Sequence, residues 1–283
     1  MVLIKDDNLE ALTRKDLLFA LLDLGINPKD LNSTEKDYLV EKLRFQLTLP
    51  RSDAFGNPAE QVDILKFVRP DQHYLLVIRH GARPTVTEGA GIYVDMSEEG
   101  YREAVSFGSS IMEKQIRKGS LVSSSYSRCI KTITGICEGA NWECEDPKIS
   151  PALTGLDVLV TNQSAFIGHN LQVGFVGIVN ELLSHKPVPG AVPYKTGMRK
   201  LHSFLSDILQ EASEIGPGLS MASTHDAVIW LLVAYYLDWQ ETTSDQRPKF
   251  MEGLLLWEEK AENGTVQQKF VWRDQVHTID NSK

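Results

Sequence analysis

The patterning of the chain predicts an α/β fold: a three-layer α/β/α sandwich around a mostly parallel sheet, with a small helical cap and a short N-terminal helical extension. Three observations carry that expectation. From about residue 62 onward, strand-like and helix-like segments alternate, as they do where helices cover both faces of a sheet. The run Tyr74 to Ile78 is apolar throughout, which suits a central strand buried on both sides. Near the end, two strand-like runs flank Asn263-Gly264, a strong hairpin signal, so antiparallel strands should close one side of the sheet.

The elements follow in order. Residues 13 to 47 read as two short helices. Thr13 with Asp16 resembles a capping box, Leu17, Leu18, Leu21, Leu22 and Leu24 form an apolar face, and Gly25 and Pro28 end the first helix. Ser33 or Thr34 starts the second, whose face is Tyr38, Leu39, Leu43 and Leu47 before Pro50. Residues 51–60 are rich in Asp, Gly, Asn and Pro, so the chain divides into an extension with linker (1–60) and a main domain (61–283). Past the first strand, Ser97-Glu98-Glu99-Gly100 opens an amphipathic helix running to about Ile116. Leu121 to Ser125 is a second strand, and Arg128 opens another helix. Leu219 to Thr224 is a third strand, with His225-Asp226 at its carboxyl end and the apolar helix "AVIWLLVAYYL" behind it.

Composition excludes some functions. The 283 residues carry a formal net charge of -9, which argues against nucleic-acid binding and disfavours an anionic membrane as a partner. Residues 1 to 50 hold seven Lys and Arg against nine Asp and Glu, so packing onto the main domain or self-association suits the N-terminal helices better than phosphate-backbone binding. The first residues lack the long apolar segment of a signal peptide, and no stretch approaches about 20 apolar residues. Cys129, Cys137 and Cys144 form no CxxC pair and read as free buried thiols, so a reducing cytoplasm is expected.

The chemistry gathers at strand ends. Arg79, His80 and Arg83 follow the first strand, Arg128 the second, and His225 and Asp226 the third. In open α/β sheets these carboxyl ends line the ligand crevice, so the segments can converge. Guanidinium forks match phosphate oxygens, and a helix amino terminus adds backbone N–H groups aimed at an anion. A neutral histidine can attack phosphorus in line, arginines and a second histidine can hold the equatorial oxygens, and a carboxylic acid can protonate the leaving alkoxide. Asp226 is the candidate acid. The expected partner is therefore a small phosphorylated substrate.

"RHGAR" after a strand, "SSSYSRCIKT" in the middle and "STHDAV" late in the chain resemble the histidine phosphatase superfamily, in particular its acid phosphatase and phytase branch. "MSEEGYREAVSFGSSI" and the closing "GLLLWEEKAENGTVQQKFVW" are similar to further parts of that branch, and the likeness runs over about residues 70 to 275. It implies His80 as nucleophile, Arg79, Arg83, Arg128 and His225 as the phosphate pocket, and Asp226 as proton donor. It implies no metal and no cofactor. The activity implied is metal-independent phosphomonoester hydrolysis, with a non-hydrolysing phosphate binder or a phosphomutase as alternatives. Two departures stand out: Pro84 follows Arg83 directly, and the segment from Arg128 to His225 leaves room for only a small cap. In a related, mutase-like branch the acid follows the middle arginine, where Asp157 stands.

Plainer readings compete for single residues. Alone, His80 would be a core histidine satisfied by a backbone carbonyl, and Asp226 a helix cap. Their charged company favours the site. His169, His202, Trp230, Trp239, Tyr235 and Tyr236 have no such company and read as structural, as does Cys129. The basic segment 184–202, with Lys186, Lys195, Arg199 and Lys200, reads as a solvated loop and helix start rather than a second anion subsite.

Overall fold

Seven strands build one sheet: β1 (His73–Arg79), β2 (Lys118–Ser123), β3 (Lys148–Ile149), β4 (Gly218–Thr224), β5 (Gly253–Lys260), β6 (Val266–Trp272) and β7 (Gln275–Thr278). The computed structural model describes residues 13, 14, 17, 18, 35–40, 64–83, 95–155, 158–261 and 264–280. The strand order is β3-β2-β4-β1-β5-β6-β7. From β3 to β1 the pairings are parallel, and from β1 through β7 they are antiparallel. The sheet is thus mixed. Its parallel half carries the strand ends that matter, while the expected closing hairpin supplies β5 and β6.

Six α-helices among the described residues between 98 and 237 complete the layers: α1 (Glu98–Glu113), α2 (Ser127–Gly139), α3 (Gln163–Val173), α4 (Phe175–Leu183), α5 (Tyr194–Ser213) and α6 (Asp226–Leu237). Alternation along β1 explains their placement, because successive side chains point to opposite faces. Tyr74, Leu76 and Ile78 share a core with Ala104 and Ile111 of α1 and Ile133 and Ile136 of α2. Leu75 and Val77 face the other way, into a core with Leu201 and Leu205 of α5 and Ile229 and Trp230 of α6. Both faces of β1 are therefore dry, which is why its sequence shows no polar alternation. Helix α6 is apolar all round and buried from Val228 to Tyr236, as its sequence requires.

Several boundaries differ from the sequence reading. Helix α1 stops at Glu113 rather than near Ile116, because Lys114 caps it and Gln115 takes a positive φ of 54°. Strand β7 was not anticipated. The turn before it uses Arg273 and Asp274, both at positive φ, so it has the geometry of a tight hairpin without the glycine that advertises one. Helices α3 and α4 form the small helical insertion; α3 has no fully buried residue, whereas α4 buries Ile178, Val179, Leu182 and Leu183.

Of the expected N-terminal extension, Arg14, Leu17 and Leu18 and residues 36–40 are helical, with Leu17, Leu18, Leu39 and Val40 buried. Asp16, Leu21, Leu22, Leu24, Ser33, Thr34, Leu43, Leu47 and the 51–60 linker lie outside the described residues, as do Pro84, Asp157 and Asn263. Cys129 and Cys137 are buried as expected, but Cys144 is exposed, because it follows α2 in a surface loop. No helix among the described residues is long and apolar enough to cross a membrane.

Candidate active site

Strand register brings the predicted residues together. Arg79 pairs with Thr224 across β1 and β4, and Ser123 pairs with Ser223 across β2 and β4, so the three carboxyl ends finish side by side. The ladder continues one residue further, with the His80 amide donating to the Thr224 carbonyl at 3.0 Å and the Ser124 amide to the Ser223 carbonyl at 3.0 Å. His80, Ser124 and His225 are thus placed by the sheet itself.

His80 is 3% exposed. Its Nδ1 lies 2.8 Å from the Gly81 carbonyl, which can only accept, so Nδ1 carries the proton and Nε2 the lone pair. Burial, then Arg128, His225 and Arg79, push its pKa well below the usual histidine range. The ring is neutral at physiological pH. The backbone-carbonyl contact expected of a core histidine is present, and that same contact fixes the tautomer.

The glycine after it serves packing. A Cβ on Gly81 would meet Met96 Sδ at 2.7 Å and the Gly100 carbonyl oxygen at 2.8 Å, because the start of α1 lies against the loop. Ser97 caps α1, accepting from the Gly100 amide at 3.0 Å, and its own amide donates to the Ala82 carbonyl at 2.9 Å. From the other side, the Gly81 amide donates to Thr132 Oγ1 of α2 at 2.9 Å. Residues 80 to 82 are clamped between two helices, and Arg83 projects half-buried from the same loop.

Arg128, in the first turn of α2, is 7% exposed, stacks on Tyr126 at 4.7 Å and places Nη2 3.3 Å from His225 Nδ1. A guanidinium only donates, so Nδ1 of His225 accepts and its Nε2–H donates to Ser124 Oγ at 2.9 Å. Burial, with Arg128 beside it, lowers the His225 pKa to about 3. The two imidazoles meet edge to face, centroids 5.4 Å apart. Cys129 packs beneath them, Sγ 3.7 Å from His225 Nε2, with its thiol pushed up to about 11 by burial.

Arg79 is 4% exposed and lies over the Phe250 ring at 4.0 Å. Its Nη1 donates to the Pro248 carbonyl at 2.6 Å and Nη2 stands 3.4 Å from Asp226 Oδ2, while Nε is buried without a hydrogen-bond partner. Burial, only partly offset by Asp226, lowers its pKa to about 10, and Arg247, Arg83 and Arg128 add to the lowering. It stays charged at neutral pH. Several cations thus crowd one carboxylate, an imbalance that a bound anion relieves.

Asp226 begins α6. Its Oδ1 accepts from the Ala227 amide at 2.9 Å, but the N-cap position belongs to His225 and no side chain caps the helix, so Asp226 sits in the first turn rather than capping it. Its Oδ2 is taken by Arg247, whose Nε donates at 2.7 Å and whose Nη2 forms an ion pair, and by Arg79. Burial alone would raise this carboxyl, but Arg247 and Arg79 outweigh it and hold the pKa well below the usual range. Without substrate, Asp226 is ionised.

All six predicted residues gather at the carboxyl ends of β1 and β4, the loop after β1 and the first turn of α2, while Asp157 lies outside the described residues. Residues 75–249 match the family model described as histidine phosphatase superfamily, branch 1. The chain belongs to the histidine phosphatase superfamily. The superfamily is the one the motifs resemble; the match is to branch 1 and does not support the acid phosphatase and phytase branch. No curated protein sequence matches the chain. Among solved structures, mycobacterial hydrolase 1 superposes with a TM-score of 0.50 at 13% identity, covering 71% of this chain and 98% of that one. That is a likeness of fold. A mycobacterial glucosyl-3-phosphoglycerate phosphatase gives 0.48 at 15% identity, over 71% and 98% of the two chains. Phosphoglycerate mutase from Bacillus anthracis gives 0.45 at 13%, over 74% and 93%.

Sequence reasoning missed Arg247, Phe250, Ser124 and Thr132. Ser124 and Thr132 sit inside the quoted middle motif, where spacing from Arg128 could have found them. Arg247 and Phe250 come from the loop before β5, in "QRPKFMEG", where an arginine beside a proline gives no sign of facing another strand's end. The basic segment 184–202 stays away from the site. Lys195 and Arg199 line a recess with Tyr235, Asp238 and Trp239 at the far end of α6 from Asp226, roughly 18 Å along the helix.

Proposed function

We propose that the protein is a metal-independent phosphomonoester hydrolase working through a phosphohistidine at His80. The observation that carries this reading is a buried histidine held neutral and in one tautomer, beside Arg79, Arg128 and His225 and with Arg83 on the same loop. The lone pair on Nε2 attacks phosphorus, the P–O bond to the leaving group breaks, and the arginines and His225 hold the equatorial oxygens. Arg79 Nε, buried without a partner, is a donor waiting for an acceptor.

Asp226 protonates the departing alkoxide and then takes a proton from the attacking water, as the P–N bond returns its electrons to Nε2. The water's proton passes to Asp226 and is lost again once phosphate departs, because the free carboxyl is ionised. Each cycle therefore takes its proton from the substrate, as the monoanion of a phosphomonoester, with its second pKa of about 6, carries one. The His225-Asp226 pair is the feature on which the motif likeness to the acid phosphatase branch rests. The three free thiols support a reducing, cytoplasmic setting.

The test is turnover of aryl and alkyl phosphates with and without a chelator, for wild type, His80→Ala and Asp226→Asn. Undiminished activity in His80→Ala sinks the nucleophile. Loss of activity with chelator sinks metal independence. Return of the phosphoryl group to a second acceptor, in place of inorganic phosphate, makes the protein a mutase.

A further inference from the structure

We propose that Arg247 is a positioning residue that holds Asp226 in place and sets the pH at which this carboxyl exchanges its proton. The inference rests on the reading of Asp226 as the acid, and extends it to a residue on a different element. Two donors of one guanidinium, Nε at 2.7 Å and Nη2, converge on the same carboxylate oxygen. Such a fork fixes direction as well as charge. The guanidinium is itself held from behind: it stacks on the Phe175 ring at 4.7 Å, at the first residue of α4, and Phe175 packs on Trp230 of α6. The Arg247 backbone carbonyl accepts from Arg273 Nη2, and Arg273 pairs with Glu252.

The groups facing Asp226 can be named. Arg79 and His80 come from the end of β1, Arg128 from α2, Arg247 from the loop before β5, and His225 precedes it on its own element. Of these, Arg79 also lies in the phosphate pocket, and its Nη2 is the more distant donor at 3.4 Å. Arg247 is the group that can be removed with the nucleophile and the arginines of the strand ends left in place. A substrate phosphate beside Arg79 competes with Asp226 for that guanidinium, whereas Arg247 keeps the carboxylate turned toward the crevice.

The experiment measures kcat/KM for an alkyl phosphate against pH in wild type, Arg247→Met and Arg247→Lys, with carbon-13 NMR titration of Asp226 in each. An arginine contact lowers a carboxyl pKa by roughly 1–3 units, so Arg247→Met should move the NMR titration up by about one unit or more and lower kcat/KM, while the alkaline edge, set by the substrate's own pKa of about 6, stays in place. Arg247→Lys keeps the charge without the fork and should recover part of the shift. Phe175→Leu removes the stacking but not the carboxylate contact and should move the titration far less than Arg247→Met. An Asp226 titration that is the same in Arg247→Met and wild type overturns the proposal. So does an equal loss of kcat/KM from Arg247→Met in the Asp226→Asn background. A moved titration with kcat/KM unchanged upholds the positioning role and refutes Asp226 as the acid.

Discussion

Gly100→Ala tests how tightly the fold dictates the site. A Cβ at this position would lie 2.2 Å from the Ala82 carbonyl oxygen, 2.6 Å from the Ala82 nitrogen and 2.9 Å from its carbonyl carbon. All three are backbone atoms, with no side-chain end to swing aside. Relief requires the start of α1 and the 80–83 loop to part by about 1 Å. The substitution gains about 0.5–1 kcal/mol of helix propensity, but overpacking costs about 1–3 kcal/mol, so a net destabilisation follows. Ala82 is two residues from His80, and a displacement of about 1 Å at a catalytic group can cost on the order of 100-fold in rate. Gly168→Ala is the opposite case, a helical glycine in α3 with nothing within 4 Å of its added Cβ. It should gain about 0.5–1 kcal/mol with activity unchanged. Urea melts and aryl phosphatase kinetics on both variants decide the matter. Full activity and wild-type stability in Gly100→Ala would refute the claim that α1 positions the nucleophile loop.

Acid should destabilise the substrate-free protein. The folded His225 takes its proton only near pH 3, whereas the unfolded chain takes it near 6.5, so between these values the unfolded state binds more protons and stability falls as pH falls. Urea midpoints from about pH 8 down to 5 should decline, and His225→Gln should flatten the decline; identical slopes contradict the assignment. Vanadate or inorganic phosphate should raise the melting temperature, by about 2.7 kcal/mol of stability at a hundredfold excess over Kd, and Arg79→Met should abolish most of that rise. Asp226→Asn should lose far more activity on alkyl than on aryl phosphates, because an aryl oxide leaves with less help from a proton. Equal losses on the two substrate classes count against Asp226 as the acid.

The parallel half of the sheet was legible because β1 is buried on both faces and says so in an unbroken apolar run, and because its charged ends stand out against that run. Ser97 and the His225-Asp226 pair were legible for the same reason: each is a local signal of a local requirement. What stayed hidden is what only tertiary structure brings near. Arg247 is twenty-one residues from Asp226 and reaches it because the loop before β5 folds over the strand ends. Cys129, which a one-residue offset on a helix should turn away from Arg128's target, touches His225 from below instead. Strand β7 was hidden by a hairpin turn made from Arg273 and Asp274 at positive φ, without a glycine to mark it.

The central claim is that His80 Nε2 receives the phosphoryl group. Rapid mixing with an alkyl phosphate followed by an alkaline quench, which preserves a phosphohistidine, and peptide mass analysis measures this directly. The account predicts one phosphoryl group on the peptide containing His80, absent from His80→Ala and accumulating in Asp226→Asn with an aryl phosphate, where release needs the base. A phosphoryl group on another residue, or steady turnover by His80→Ala, contradicts it.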